Sequence, residues 1–285
     1  MAKIIDGKAI SAQIRAEIKE SAAAFTARRG YRPGLAVIIV GSDPASQVYV
    51  RNKRRACDEV GFYSEAYELP EQTTQSELIA LVDKLNADDK IHGILCQLPL
   101  PKHLDENEVI LRINPAKDVD AFHPYNVGKI MIGDYDFLPC TPAGVMALLE
   151  RSGIEVAGKE CVIVGRSNIV GKPQAMLLLH ANGTVTICHS RTKNLAEVCR
   201  RADILVAAIG KADFFTADMV KEGAVVIDVG MNRRADGKLT GDVDFSSVEP
   251  KASYITPVPG GVGPMTITML MKNTLTAAER AASKE

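Results

Sequence analysis

The chain has 285 residues, a length that fits two α/β domains, each large enough to bury a core of its own. Its formal net charge of −1 lacks the basic excess on which nucleic-acid and membrane-surface proteins rely, and no apolar run reaches the ~18 residues of a membrane span, so we expect a small-molecule partner, no nucleic acid and no membrane. The six cysteines form no C-x-x-C pair and the five histidines show no ligand spacing, which predicts reduced thiols, a cytoplasmic location and no metal site.

The first half of the chain alternates helix and strand patterns. Asp6 and Gly7 precede an apolar stripe that predicts a helix ending at Gly30. Continuous apolar runs at 35–40 and 91–96 are typical of strands buried in a parallel sheet. The remaining patterns predict a strand at 62–69 and helices at 47–60, 75–85 and 105–111.

The second half begins after a segment, residues 123–141, whose repeated Pro and Gly predict turns and a domain boundary at its end. A connecting helix capped by Thr141 is predicted over 142–151. Short apolar runs separated by helical segments then predict a doubly wound domain. Its strands are predicted at 161–164, 184–188, 204–209, 225–229 and 254–256.

The last part of the chain returns to the first domain in this prediction. Residues 257–264 are too rich in Gly and Pro for regular structure, and an amphipathic helix follows them. The apolar stripe of that helix needs a partner outside the completed second domain. We therefore predict a first domain over 1–141 plus 265–285 and a second over 142–264, with a cleft between them.

A short apolar strand breaks into a glycine turn and enters a helix at residues 161–173. This outline is typical of a dinucleotide site, where the helix amino terminus presents free N–H groups to a pyrophosphate. Gly165 permits the tight bend, and Pro173 suits the first helical turn. Ser167 and Val170 replace the second and third glycines of G-x-G-x-x-G, so an ordinary strand-to-helix connection is the alternative.

The tip of the next strand indicates which dinucleotide binds. An NAD site has an Asp or Glu there to accept a hydrogen bond from the ribose 2′-OH, and this chain has none. Ser190 and Arg191 stand there instead, with Arg166 in the glycine turn. Two cations and a hydroxyl suit a 2′-phosphate, which predicts NADP. The alternative is that both arginines are solvated on a surface loop.

Four polar residues of the first domain lie where an α/β sheet binds its ligands, beyond the carboxyl ends of strands: Tyr49, Lys53, Gln97 and Asp120. Tyr49 and Lys53 are four apart on one helix and share a face. Each has a structural alternative, because Lys53 belongs to a charged run typical of a solvated face and Asp120 could cap a turn. The Tyr-x-x-x-Lys spacing also occurs in short-chain dehydrogenases, but there it follows the glycine turn, whereas here it precedes it.

Six motifs in register make the chain resemble, from end to end, the bifunctional methylenetetrahydrofolate dehydrogenase/cyclohydrolase family. They are Pro44-Ala45-Ser46 with Tyr49-Val50-x-x-Lys53, Gln97-Leu98-Pro99-Leu100-Pro101, Pro115-x-Lys117-Asp118-Val119-Asp120, Pro139-Cys140-Thr141-Pro142-x-Gly144, Gly165-Arg166-Ser167-x-x-Val170-Gly171-x-Pro173, and Pro257-Val258-Pro259-Gly260-Gly261-Val262-Gly263-Pro264-Met265-Thr266.

The resemblance implies a three-layer α/β catalytic domain and a doubly wound Rossmann-type NADP domain, with the C-terminal helix returning to the first domain. It implies NADP-dependent oxidation of 5,10-methylenetetrahydrofolate to the 5,10-methenyl form and hydrolysis of that form to 10-formyltetrahydrofolate, in one-carbon metabolism and purine biosynthesis. Tetrahydrofolate derivatives are the implied ligands, and a homodimer is the implied assembly. A dehydrogenase-only relative and a non-catalytic dinucleotide-binding regulator are the alternatives.

The resemblance also implies roles for individual residues. Lys53 is the catalytic lysine, Tyr49 packs on the folate ring, Gln97 hydrogen-bonds and tunes Lys53, and Asp120 holds the pterin edge. Gly261 and Pro264 border the substrate. The cofactor contacts are Gly165, Arg166, Ser167, Ser190, Arg191 and Met231.

Two positions depart from the family pattern. Ala121 replaces the glycine usual after Asp120, which matters if that position requires φ > 0. Met231 replaces a β-branched residue, a change that an apolar contact tolerates.

Overall fold

The computed structural model describes residues 1–42 and 44–283 and divides into two compact units. The first domain comprises Gln13–Cys140 and Ile267–Glu285, and the second comprises Met1–Ala12 and Thr141–Thr266. Residues 1–12, which the sequence assigned to the first domain, group with the second. The reason is a two-residue strand, β1 (Lys3–Ile4), which pairs in parallel with residues 254 and 255 of the second domain's sheet.

The first domain is built on a three-stranded parallel sheet in the order β3-β2-β4. The central strand is buried along its whole length because helices cover the sheet, which is why the sequence there is continuously apolar. The elements of this part of the chain are α1 (Gly7–Arg29), β2 (Gly34–Val40), α2 (Pro44–Val60), β3 (Tyr63–Leu69), α3 (Gln75–Ala87), β4 (Gly93–Cys96), α4 (Glu106–Arg112) and α5 (Pro124–Ile132).

The helix α5 corrects the prediction that residues 123–141 form only turns. The proline and glycine taken as breakers are its start and stop signals. Pro124 occupies the first helical turn, where its missing N–H has no partner to lose, and the His123 ring accepts a hydrogen bond from the Tyr125 N–H at 3.0 Å. Gly133 ends the helix in the left-handed conformation at φ 79°.

The second domain carries a parallel sheet in the order β1-β11-β8-β7-β5-β6. Its elements are α6 (Cys140–Arg151), β5 (Glu160–Val164), α7 (Gly171–His180), β6 (Thr184–Cys188), α8 (Leu195–Cys199), β7 (Ile204–Ala207), β8 (Val225–Asp228), β9 (Asn232–Arg233), β10 (Leu239–Thr240), α9 (Phe245–Val248) and β11 (Tyr254–Ile255). The chain runs from β5 outward to β6 and then returns to β7 on the other side of β5. The switch point of this doubly wound sheet therefore lies at the carboxyl ends of β5 and β7.

The C-terminal helix α10 (Val262–Ala282) packs in the first domain over most of its length, as the sequence predicted. Its Asn273 amide donates to the carbonyls of Val119 and Leu138, both at 2.8 Å. The Met271 sulfur lies 3.7 Å from the Cys57 thiol. The helix begins at Val262, so the Gly- and Pro-rich segment is helical over its last residues.

Candidate active site

Lys53 is the most deeply buried cation of the first-domain site. It projects from α2, is 7 % exposed, and its Nζ donates a hydrogen bond to the Gln97 Oε1 at 2.7 Å. Gln97 follows β4, and its own amide N–H donates to the Leu98 carbonyl at 2.8 Å, which fixes the amide with its oxygen toward the lysine. The neighbours Arg54 and Arg55 are exposed, so the charged run is a solvated face everywhere except at this lysine.

Burial sets the ionisation of Lys53. Desolvation lowers the pKa of its ammonium, while the Asp120 carboxylate and the nearby Cys140 and Cys96 thiols act in the opposite direction. A lysine with a lowered pKa and a fixed hydrogen-bond acceptor is equipped to exchange a proton.

Asp120 shares this environment. Burial raises the pKa of its carboxyl group, and the positive charge of Lys53 opposes that rise. The Cys140 thiol donates a hydrogen bond to the Val119 carbonyl at 3.5 Å, and its proximity to Asp120 also opposes the rise in the pKa of that carboxyl group. Burial holds the pKa of the Cys140 thiol well above its ordinary value, so it remains a hydrogen-bond donor and not a thiolate.

The loop that carries Asp120 is held by a second carboxylate, that of Asp118, two residues earlier in the same motif. Asp118 is 3 % exposed and accepts hydrogen bonds from the backbone N–H groups of Phe122 and His123 and from the Asn126 amide, at 3.3, 2.8 and 2.8 Å. Ala121 lies between Asp120 and the backbone donor of Phe122; it is fully buried, with φ 56°. The position does adopt the left-handed conformation that glycine tolerates best, and this chain holds an alanine there.

Tyr49 lies one helical turn before Lys53 on α2 and is 37 % exposed. Burial of its remaining surface raises the pKa of its phenol. The structure thus brings Lys53, Gln97 and Asp120 together in the first domain, with Tyr49 on the same helix face as the lysine. Gly261 and Pro264 belong to the second domain, where the carbonyl of Pro264 accepts a hydrogen bond from the Ser11 hydroxyl at 3.4 Å.

The glycine turn of the second domain lies at the switch point of the sheet. Gly165 follows β5 at φ 139°, and a Cβ there would lie 2.2 Å from the Ala208 carbonyl oxygen. A Cβ on Gly171, the first residue of α7, would lie 2.2 Å from the Gly165 oxygen, so the helix packs directly on the turn. The Ser167 hydroxyl accepts from the N–H groups of residues 170 and 171 at 3.2 and 3.3 Å. The turn therefore has the close backbone packing of a dinucleotide fold.

Arg166, Ser190 and Arg191 are all exposed beside this turn and the adjacent strand β6. Within the described residues neither guanidinium forms an ion pair or side-chain hydrogen bond. Two cations without partners at this sheet edge fit the 2′-phosphate of NADP. Met231 lies on the loop after β8, is 44 % exposed, and its methyl carbon approaches the position of a Cβ on Gly263 within 3.0 Å.

Two buried carboxylates, which sequence reasoning missed, hold the loops at this edge of the sheet. Asp242 is fully buried and accepts from three consecutive backbone N–H groups, those of residues 209, 210 and 211, at 2.7, 3.0 and 2.8 Å. The Asn232 amide donates to it at 2.8 Å. Asp228 ends β8 and accepts from the N–H groups of Gly230, Asp242 and Val243, all at 2.9 Å. The sequence offered one signal for Asp228, because this Asp lies at the carboxyl end of an apolar strand.

Three further features concern the described residues. They contain no cluster of three or more His, Cys, Asp or Glu side chains arranged to hold a metal ion. None of their helices is both long and apolar enough to cross a membrane. All of the cysteines are buried and free.

A doubly wound sheet with a glycine turn at its switch point, together with a buried lysine in a separate α/β domain, defines a two-domain dinucleotide-dependent enzyme. Residues 5–120 match the family model described as the catalytic domain of tetrahydrofolate dehydrogenase/cyclohydrolase, and residues 139–282 match the one described as its NAD(P)-binding domain. The chain belongs to the tetrahydrofolate dehydrogenase/cyclohydrolase family.

Individual relatives are similar over the full length of the chain. The bifunctional protein FolD of Acetivibrio thermocellus is 63 % identical over 281 residues, which cover 99 % of this chain and 98 % of the relative. The crystal structure of the bifunctional enzyme FolD from Campylobacter jejuni superposes with a TM-score of 0.96 at 51 % identity, covering 99 % of this chain and all of that one. The FolD of Trypanosoma brucei, solved in complex with NADP and an inhibitor, gives a TM-score of 0.95 at 43 % identity, covering 99 % and 98 %.

Proposed function

We propose that this enzyme oxidises 5,10-methylenetetrahydrofolate with NADP⁺ to 5,10-methenyltetrahydrofolate and hydrolyses that product to 10-formyltetrahydrofolate. The observation that carries the proposal is the Lys53–Gln97 pair: a buried lysine, held at 2.7 Å by an amide oxygen, with its pKa lowered by desolvation. Family membership supplies the substrate class, since both matched models describe tetrahydrofolate dehydrogenase/cyclohydrolase domains.

The oxidation step needs alignment more than it needs a base. Hydride leaves a carbon flanked by two nitrogens, whose lone pairs stabilise the resulting cation. NADP⁺, when bound, accepts that hydride. The residues proposed to hold it are Gly165, Arg166, Ser167, Ser190, Arg191 and Met231. The two arginines supply the charge for the 2′-phosphate, because they have no competing partners among the described residues.

The hydrolysis step needs a group that manages protons. Water adds to the methenyl carbon and loses one proton as the new C–O bond forms. The bond from that carbon to one ring nitrogen then breaks, as the hydroxyl loses its proton to form the formyl carbonyl and the departing nitrogen takes up a proton. Lys53 is the group proposed to take the proton of the attacking water, since desolvation lowers its pKa and so favours the uncharged amine more than at an exposed lysine. Gln97 fixes the amine, Asp120 binds the pterin edge, and Tyr49 packs on the folate. Gly261 and Pro264 are proposed to border the substrate.

Three further statements belong to this proposal. A homodimer is supported by the edge position of β6, whose Ile187 is 38 % exposed, and an open edge strand is a natural pairing surface. A cytoplasmic location is supported by the free, buried thiols. A contribution to purine biosynthesis would follow from the 10-formyl product.

One assay tests the function against its alternatives. Purified protein receives methylenetetrahydrofolate with NADP⁺ or NAD⁺, and NADPH formation and methenyl concentration are followed together. We expect NADPH to form while methenyl product is consumed. Accumulation of methenyltetrahydrofolate would identify a dehydrogenase-only enzyme, and no NADPH would identify a non-catalytic binding protein.

A further inference from the structure

A large cavity lies in the first domain, and Lys53 is not among its lining residues. Its volume is about 1010 Å³, within the range of sites that enclose a drug-sized ligand. It is lined at the amino-terminal ends of the three strands, by Tyr31 before β2, Tyr63 at the start of β3 and His92 before β4. Gln97 follows the opposite end of β4, on the order of 15 Å from His92 at the rise of a parallel strand. The cavity is therefore distinct from the catalytic site.

The imidazole of His92 presents a fixed hydrogen-bond donor to this cavity. His92 is 5 % exposed, and burial lowers its pKa to about 4, so the ring is neutral at physiological pH. Its Nδ1 accepts the Gly34 N–H at 3.0 Å, which places the ring proton on Nε2. Among the described residues no side chain or backbone group accepts from Nε2, and the ring stacks on Tyr31 at a centroid distance of 5.6 Å.

Aromatic rings form the walls around that donor. Tyr31, Tyr63, Tyr125 and Phe137 all line the cavity. The hydroxyl of Tyr63 is already bound to Glu65, so this side chain presents its ring face and not a free donor. Rings at several positions around one space favour a planar aromatic ligand, which stacks on them or meets their edges.

The charges that line the cavity favour an anion, with five cations against two carboxylates. Asp136 is neutralised by Lys129 at 2.8 Å and by Arg280 at 2.5 Å, which leaves the exposed Asp89 as the other negative group. Arg32 and Lys90 are exposed and have no side-chain hydrogen bond or ion pair within the described part of the chain. Both are available to a ligand.

We propose that this cavity is a second ligand site, specific for a planar aromatic anion. The ring of the ligand packs among the aromatic side chains, and its carboxylate or phosphate is bound by the His92 Nε2–H with Arg32 and Lys90 at the rim. The proposal does not depend on the reaction assigned to the Lys53 site.

The test uses the full-length protein saturated with NADP⁺ and the fluorescent aromatic anion 8-anilinonaphthalene-1-sulfonate. We expect one probe site per chain, displaced by 2-naphthoate if the natural group is a carboxylate or by adenosine monophosphate if it is a phosphate. Failure of both competitors at millimolar concentration overturns the proposal. The double variant Arg32→Ala/Lys90→Ala should bind the probe at least ~tenfold more weakly, as loss of charge-assisted contacts requires, and should bind uncharged 1-anilinonaphthalene unchanged.

Matched variants separate charge, shape and folding. Lys19→Ala/Lys84→Ala removes two exposed cations of the same domain that do not line the cavity, and should leave probe affinity unchanged. Ala281→Trp fills the cavity from α10 and should abolish binding, whereas Lys272→Trp, exposed elsewhere on that helix, should not. Full dehydrogenase activity in every variant verifies the fold. Equal probe affinity in Arg32→Ala/Lys90→Ala and in Lys19→Ala/Lys84→Ala would contradict the proposed site. Equal probe affinity in the two tryptophan variants would contradict it as well.

Discussion

Replacing Asp228 by Asn tests how burial controls a charge beneath the cofactor-side loops. Asp228 is 3 % exposed, and burial raises the pKa of its carboxyl group from 3.8 to about 7, against the three backbone donors that favour the carboxylate. At a pH between these two pKa values, the Asp228 carboxyl group is ionised in the unfolded chain but still protonated in the folded chain. Folded protein therefore becomes less stable as pH rises through this window, by up to about 4 kcal/mol at ~1.4 kcal/mol per pKa unit.

The assay is urea unfolding of the parent and of Asp228→Asn from pH 4 to pH 8. The free energy of unfolding of the parent minus that of the variant should fall from pH 4 to 7 and then level off, because asparagine does not titrate. In the control Asp203→Asn, Lys221 lowers the pKa of the original carboxyl group, so the difference in free energy of unfolding between parent and control should stay flat above about pH 5. A flat Asp228 difference would refute the reasoning, and one that rises with pH would show that the backbone donors outweigh burial.

Three other predictions follow from single side chains. Arg191→Ala should lower kcat/KM for NADP⁺ at least ~tenfold and leave that for NAD⁺ unchanged, because only the 2′-phosphate loses a partner; equal losses in steady-state assays would remove that role. Asn273→Ala should lower the free energy of unfolding by roughly 2–3 kcal/mol, because two hydrogen bonds to buried carbonyls are lost. The control Lys272→Ala, at the exposed neighbouring residue, should leave it unchanged; matching denaturation curves for the two variants would contradict this. Gln97→Glu should raise the pKa of Lys53 by placing an anion beside it, so the hydrolysis rate should fall at neutral pH and recover at higher pH; an unshifted pH profile would argue against the coupling.

Much of the fold was predictable because it depends on local chemistry. The strands β2 and β5 are continuous apolar runs, and Gly30 ends α1 at φ 77°, so pattern and turn residues agreed with the structure. The helix α5 was missed because Pro124 and Gly133 signal a helix start and stop as readily as a loop. The strand β1 was missed because two residues carry no periodicity, and only pairing with β11 defines it.

The sequence predicted which residues form the site, but not how deeply those residues are buried or which groups surround them. Sequence spacing placed Tyr49 and Lys53 on one face, yet the burial that lowers the Lys53 pKa comes from the whole domain and is invisible in a charged run. The sequence could not say whether position 121 requires a positive φ; only the backbone, with φ 56° at Ala121, shows that it does. Asp242 was missed altogether, because its backbone donors at residues 209–211 are about 30 positions away in the chain and only the fold brings them to it.

The most direct test of the central claim compares both activities of Lys53→Met on one preparation. Methionine keeps most of the apolar stem and removes the amine that Gln97 holds at 2.7 Å. The account predicts a loss of methenyltetrahydrofolate hydrolysis of roughly 10²-fold or more, the usual contribution of a positioned acid or base, with a smaller loss of NADPH formation. Arg54→Met, the exposed neighbour in the same charged run, should leave both rates unchanged. Unaltered hydrolysis in Lys53→Met would contradict the account, and an equal collapse of both activities would make Lys53 a substrate-positioning residue.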